Sequence, residues 1–445
     1  MLAIIDNLMF AFGIVLCILF AFLLFTNIII TISFFKKPKY DSYKPKVSII
    51  IPVYNESSNI KKCLKLVYAS KYPKNLYEVI VIDDGSTDDT IEIVKSFKNV
   101  RLFRTAHKGK TIALNYGIKR AKYDIITLLD ADTMLSSDTL PKLVAPFKEP
   151  TVGATIGTYN VSNRKNMLTS FQTIEYSYNN LVRMGFSRLF HDSVWFYGAM
   201  SCYRKSVLEN IGYIHSDILA EDMDIALRLQ NTGYNIVHVD DAYSTTVVPE
   251  TIGAFFKQRI RWWTGVLQAM RKNRNASYKN VSSKTHANAN NKFNTKKNKL
   301  INKSKSKVSA VPLIFVYISQ WWWSIFAIIS FPMFAIQIAY WLPYNLATFT
   351  DTFMYLFRWF SLLGPIYSIY MIPQWGISFF SIFGILSGLI SVTFIIISMT
   401  IFREKIGFKE VIAIIFYFPY TLLLNIVIFV SVIKYLFFRS TAFIK

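Results

Sequence analysis

Asp130-Ala131-Asp132 closes an apolar run at 125–129, and it is the strongest single chemical signal in the chain. Two carboxylates two residues apart at a strand end can face one divalent ion and the diphosphate that the ion bridges. Hard oxygen ligands of this kind suit Mg²⁺ or Mn²⁺. Such an ion would offset charge on a departing nucleotide diphosphate. Asp83-Asp84-Gly85-Ser86 ends a second apolar run. A carboxylate there can accept hydrogen bonds from a base or a ribose, and a glycine permits close approach. Pro52-Val53-Tyr54-Asn55-Glu56 ends a third run, with Tyr54 placed to stack on a base.

Three helical signals add to these strand ends. Lys110 opens a helical stretch that carries Asn115. An ammonium at a helix N-terminus suits phosphate, because charge and dipole act together. Glu221-Asp222 starts the stretch EDMDIALRLQ. A carboxylate at a helix start stays ionised, which suits a general base taking a proton from a hydroxyl. Gln258-Arg259-Ile260-Arg261-Trp262 lies on an amphipathic pattern, where Gln258, Arg261 and Trp262 can share one face. Arg261 can bind a diphosphate bidentately, and Trp262 offers a flat surface for a sugar ring. Each motif also has a plainer reading. An acidic turn can simply cap a helix, a lysine can simply be solvated, and a basic helix with tryptophan can simply lie at a membrane interface.

These residues need elements to hold them. The runs 46–53, 78–83 and 124–130 are short, apolar and rich in β-branched residues, as buried parallel strands are. Helical patterns at 58–70, 90–97 and 109–121 separate them. Strands alternating with helices predict a doubly wound α/β sheet. In such sheets ligands sit at the carboxyl ends of the strands, where the polar clusters lie.

Hydrophobic residues make up 53% of the chain, more than a soluble core of this length requires. Residues 8–35 are nearly all apolar and predict a signal anchor rather than a cleaved leader. Lys36, Lys37 and Lys39 follow and place that end in the cytosol, with the N-terminus outside. Further spans are expected at 312–340, 352–371, 375–402 and 411–437. Four full spans would put Arg403-Glu404-Lys405 outside, against the positive-inside tendency, and one interfacial or re-entrant segment would repair this. Residues 273–307 are rich in Lys, Asn and Ser and contain no acid, as in a solvated linker. The net charge of +23 sits beside apolar runs and in that linker, so it points to anionic lipid and not to nucleic acid. Three cysteines without a CxxC pair argue against a disulfide framework.

Taken in order, these motifs resemble the processive family-2 glycosyltransferases, the group of cellulose, chitin, hyaluronan and poly-N-acetylglucosamine synthases. The likeness runs over 46–268. It implies a GT-A fold, a mixed and mostly parallel sheet with flanking helices, inserted between transmembrane helices. The implied division is an anchor at 1–38, a cytosolic catalytic domain at 39–272, a linker at 273–308 and three or four spans at 309–445. The resemblance implies inverting transfer from a UDP-sugar to a glycan acceptor at the cell membrane. Asp84 with Asp83 would hold the uridine near Tyr54 and Glu56. Asp130 and Asp132 would hold phosphates and metal, and Asp222 would be the base. Lys110 matches the lysine of a K-x-x-x-L-N element. Gln258 and Arg261 would frame the diphosphate, with Glu221 and Trp262 on the acceptor side. Gly198, Ser201 and Cys202 fall in a segment similar to the family's acceptor-side loop. The poly-N-acetylglucosamine branch is the most similar, which makes N-acetylglucosamine the expected sugar and leaves room for accessory subunits. Two rivals stand beside this reading: transfer of one sugar to a lipid carrier or glycolipid, and a transporter or scaffold whose acidic motifs are incidental.

Overall fold

The computed structural model describes residues 2–194, 196–232, 234–283, 310–345, 366, 369–370, 372–377 and 379–437. The expected linker start at 273 is corrected, because one continuous helix runs through Ser283; the rest of the linker up to 308 and most of the expected span at 352–371 lie outside these residues.

Four parallel strands form one half of the sheet: β1 (Val47–Val53), β2 (Tyr77–Asp83), β3 (Val100–Arg104) and β4 (Ile125–Leu129). The first, second and fourth are buried almost throughout, which explains their unbroken apolar sequence. Alternation divides β1 between the two faces. Val47, Ile49, Ile51 and Val53 enter one core cluster, while Ile50 enters the other with Ile80 and Ile82. The other half contains β5 (Met134–Leu135), β6 (Val152–Val161), β7 (Met200–Arg204) and β8 (Asn235–Thr246). The strand order is β3-β2-β1-β4-β7-β6-β8-β5. Strand β7 runs antiparallel to β4 and β6, so the sheet is mixed.

Parallel pairing aligns Val53 with Asp83 at the carboxyl edge, and the end of β4 opens on that same edge. Three helices feed it: α2 (Ile60–Tyr68), α3 (Thr90–Lys95) and α4 (Lys110–Arg120). They fall within the helical patterns read from sequence. Next come α5 (Thr139–Val144), α6 (Met167–Phe190), α7 (Lys205–Asn210), α8 (Glu221–Thr232) and α9 (Ile252–Ser283). Asn166 caps α6 through the Thr169 amide, and Thr169 bonds back to the Asn166 amide.

The apolar helices are α1 (Leu2–Ser33), α10 (Val311–Asn345), α11 (Phe379–Ile401), α12 (Phe408–Ile415) and α13 (Phe418–Phe437). Within them Gly13–Ser33, Val311–Ser330 and Pro419–Phe437 are long and apolar enough to cross a membrane, and Ile385–Ile401 is a shorter apolar stretch. The expected single span at 411–437 is corrected: it is divided between α12 and α13. Pro419 lacks an amide hydrogen and suits the first turn of a new helix, so the chain breaks just before it.

Helix α6 joins the two regions. One side packs on the sheet strands β6 and β8, and the other packs on α1, α11 and α12. Ile29 and Ile30 of α1, Leu181, Val182 and Phe186 of α6, and Phe315 of α10 share one core cluster. The link between α11 and α12 also rests on the sheet domain. Asn160 donates to the Phe402 carbonyl at 3.0 Å, Arg164 donates to the Lys405 carbonyl at 2.9 Å, and Arg164 pairs with buried Glu404. Ser170 bonds Glu410 at 3.1 Å.

Candidate active site

The carboxyl edge of the sheet gathers residues from four separate stretches. Lys110, the first residue of α4, sends its Nζ to Asp130 at 2.7 and 2.8 Å from the two carboxylate oxygens. The same ammonium lies 3.7 Å from Glu221, the first residue of α8. One lysine therefore bridges the end of β4 and the start of α8. The neighbouring acids push its pKa up, against the effect of burial. Burial, and then the charges of Asp130 and Glu56, raise Asp132 to about 6.

Crowding of Glu56, Asp130 and Asp132 is a local excess of negative charge that a divalent cation would relieve. The donor set consists of hard carboxylate oxygens, which fits Mg²⁺ or Mn²⁺ and not a soft metal. Among the described residues no three His, Cys, Asp or Glu side chains converge as a closed protein cage. Asp130 and Asp132 would thus supply part of a coordination shell, with phosphate oxygens and water for the rest.

Asp222 is half-buried at the next position on α8. Its Oδ2 accepts the Gly198 amide at 2.9 Å, and its Oδ1 accepts the Met223 amide at 2.8 Å. Burial is the main cause raising its pKa to about 6, the Glu221 charge adds to this, and the two amides and Lys110 act in the opposite direction. A carboxylate of that strength is suited to accept a proton near neutrality. Gly198 has a steric reason: a Cβ there would lie 3.0 Å from the Asp222 Cβ.

Asp83 needs correction as a substrate ligand. Its side chain is fully buried, and it accepts the amides of Gly85 and Ser86 and the Nε of Arg104 at 3.2 Å. It holds the turn together. Asp84 is also nearly buried. Its carboxylate accepts Thr105 Oγ1 at 2.9 Å and the amides of Lys108 at 3.0 Å and Gly109 at 2.7 Å. Asp84 therefore fixes the loop that delivers Lys110. Tyr54 is exposed and stacks on His107 of that loop, with ring centroids 4.0 Å apart. Glu56 is partly buried; its amide bonds Thr90, and its carboxylate accepts from Asn59.

Ser201 and Cys202 are likewise corrected as acceptor contacts. Both are fully buried inside β7, and Cys202 Sγ lies 2.9 Å from Thr127 Oγ1 on β4. Burial raises the Cys202 thiol to about 12, which leaves it inert. The start of that segment reaches the edge: Gly198 donates to Asp222, and the Ala199 carbonyl accepts the Asp130 amide at 2.9 Å.

Helix α9 approaches the same edge from beside α8. Gly265 lets it press on the loop before α8: a Cβ at Gly265 would lie 2.5 Å from the Ala220 amide nitrogen. Trp262 is half-buried, 6.2 Å from Tyr197. Gln258, one turn earlier, is half-buried, and its Oε1 has no hydrogen-bond partner among the described residues. Arg261 is exposed and is not joined to the acidic cluster by any ion pair among the described residues. The buried guanidinium of the motif belongs instead to Arg259.

Sequence reasoning missed His107, Tyr197 and Arg259. His107 stands three residues before Lys110, and Arg259 stands inside the Gln-Arg-Ile-Arg-Trp motif, so both had a local signal. Tyr197 had none, because tertiary packing alone brings it in.

Residues 48–212 match the model of the family described as Glycosyl transferase family 2. The chain is 35% identical over 225 residues to the poly-beta-1,6-N-acetyl-D-glucosamine synthases of Staphylococcus epidermidis and Staphylococcus aureus strain COL. That match covers 49% of this chain, and it spans about half the length, 54%, of those relatives. Among solved structures, the mannosyltransferase PcManGT of Pyrobaculum calidifontis, in complex with GDP-Man and Mn²⁺, superposes with a TM-score of 0.56 at 18% identity, over 96% of this chain and 98% of that one. The likeness extends through the apolar helices and identifies the fold as GT-A.

Proposed function

We propose, from the premise that residues 48–212 form a family 2 glycosyltransferase domain, that the chain transfers N-acetylglucosamine from a UDP-sugar to a growing β-linked glycan. The observation that carries this reading is the junction at Lys110. One ammonium joins the Asp130 end of β4 to the Glu221-Asp222 start of α8, so a donor-phosphate region and a base meet at one edge. The choice of sugar follows the staphylococcal relatives.

In this reading Tyr54 and His107 offer a flat surface to the nucleobase, and the loop held by Asp84 shapes the donor pocket. Lys110 neutralises phosphate charge from the other side. Asp130 and Asp132 would hold Mg²⁺ or Mn²⁺, which when bound supplies Lewis-acid stabilisation to the leaving diphosphate. Asp222 takes the proton from the acceptor hydroxyl as that oxygen attacks the anomeric carbon. A single displacement of this kind inverts the configuration. Gly198 fixes the carboxylate through its amide, so the proton acceptor is oriented before the sugar arrives. Trp262 and Tyr197 line the acceptor side.

The same reading assigns a topology. Tyr317, early in α10, bonds the Met270 carbonyl at 3.1 Å, and Phe402, after α11, bonds Asn160 of the sheet domain. Both ends therefore belong to the catalytic side, and the chain between them crosses the bilayer an even number of times. Helix α10 opens that stretch and α11 closes it, and α12 lies along the interface. Arg403-Glu404-Lys405 then faces the cytosol with the catalytic domain, in keeping with the positive-inside tendency. A screen of sugar nucleotides against the purified full chain, reading UDP release and product mass, tests the assignment. Release with UDP-N-acetylglucosamine and a polymeric product is expected; release with no sugar nucleotide overturns it.

A further inference from the structure

A buried ion pair lies behind Trp262. Arg259 of α9 sits 2.9 Å from Glu175 of α6, with side-chain exposures of 6% and 15%. The same Glu175 oxygen accepts a hydrogen bond from the Tyr420 hydroxyl, in the first turn of α13. Three elements thus meet on one carboxylate: the helix of the Gln-Arg-Ile-Arg-Trp motif, the helix joining sheet to apolar bundle, and the last apolar helix. A buried pair is weak evidence for stability in itself, since desolvation offsets its attraction. Its placement is the informative part.

The Arg259 guanidinium lies over the ring of Trp262 at 4.5 Å and is 5.8 Å from that of Tyr176. Tyr176 stacks on Tyr197 with centroids 6.1 Å apart and planes 8° apart. Arg183, fully buried, supports Tyr197 at 4.1 Å. Tyr197 precedes Gly198, whose amide holds Asp222. An unbroken series of contacts therefore runs from α13 to the carboxylate of α8.

We propose that Glu175, Arg259 and Tyr420 are positioning residues that hold Trp262 and Tyr197 in register with Asp222, so that the first turn of α13 sets how tightly the acceptor end is held. None of the three touches the reacting atoms. The inference rests on the transferase reading above and adds to it a coupling between the apolar bundle and acceptor affinity.

The test uses the full chain in lipid nanodiscs, with UDP-N-acetylglucosamine as donor and a short N-acetylglucosamine oligomer as acceptor. Tyr420→Phe removes one hydroxyl and leaves the ring in place. It is expected to raise the acceptor KM by about fivefold or more, as fits loss of a hydrogen bond to a charged group. Donor KM and acceptor-independent UDP release should stay within about twofold. Arg259→Lys keeps the charge but loses the planar stack on Trp262, and it should move the acceptor KM in the same direction. Tyr420→Phe and Glu175→Gln combined should be less than additive, because both act through one carboxylate. An unchanged acceptor KM, or donor and acceptor parameters worsening together with a lowered melting temperature, would overturn the coupling while leaving the transferase reading intact. A wild-type chain that releases no UDP from the donor overturns both.

Discussion

Asp222 and Asp132 owe their strength as bases to where the backbone buries them. Asp222 is raised to about 6 chiefly by burial, and then by the charge of Glu221. A base must be ionised to act, so kcat/KM should rise with pH up to about 6 and level off above it. Glu221→Gln removes the second cause and should move the acidic limb to lower pH; a limb that stays fixed in a pH–rate profile would contradict the assignment. Asp132 carries a related stability cost. Its folded-state pKa of about 6 lies above the ordinary 3.8, so the folded state holds the proton more tightly than the unfolded chain does. Stability from this group is therefore greatest at low pH, falls as pH rises from 3.8 to about 6, and stays reduced above that. Asp132→Asn should melt at a higher temperature than wild type at neutral pH without metal or donor, and the difference should fade toward about pH 4 in thermal melts.

Elements place these residues through a few close approaches. Helix α9 reaches the loop before α8 because Gly265 presents no side chain to the Ala220 backbone. Gly265→Ala would force α9 and α8 apart, at a cost of about 1–3 kcal/mol. The expected outcome is a lowered melting temperature together with a larger loss of transfer than of donor binding, measured by calorimetry and donor titration. Much at this scale was legible in sequence. Buried parallel strands declare themselves by unbroken β-branched runs, and β1, β2 and β4 fall where those runs lie. The polar strand ends fall together on one edge of the sheet, as their sequence positions imply. The reach of single side chains was less legible. Adjacent Asp83 and Asp84 look equivalent in sequence, yet Asp83 braces its own turn and Asp84 fixes the 105–109 loop. Ser201 and Cys202 look like exposed loop residues, but pairing of β7 between β4 and β6 buries them. Arg259 and Arg261 differ only by helical phase, and it takes the partners on α6 to show which one is buried.

At the scale of the whole molecule, the sheet domain and the apolar helices are joined through α6 and through the link at 402–407. Arg164 and Asn160 hold Phe402, Glu404 and Lys405, so the end of α11 packs on the sheet domain, as the proposed topology requires. In sealed vesicles, a Lys405→Cys variant should react with an impermeant maleimide only from the side that carries the catalytic domain. Phe437→Cys, at the far end of α13, should react from the other side. Labelling of both from one side would break the proposed topology.

The central claim is that acids from separate strand ends and one helix start act together on a sugar–diphosphate. It is tested most directly by labelled N-acetylglucosamine transfer from its UDP derivative, comparing purified wild-type chain with Asp222→Asn, a substitution that keeps shape and removes the proton acceptor. The account predicts labelled polymer and stoichiometric UDP from the wild type, with a loss of at least about a hundredfold in the variant while donor binding persists. Equal transfer rates from the two proteins would contradict it.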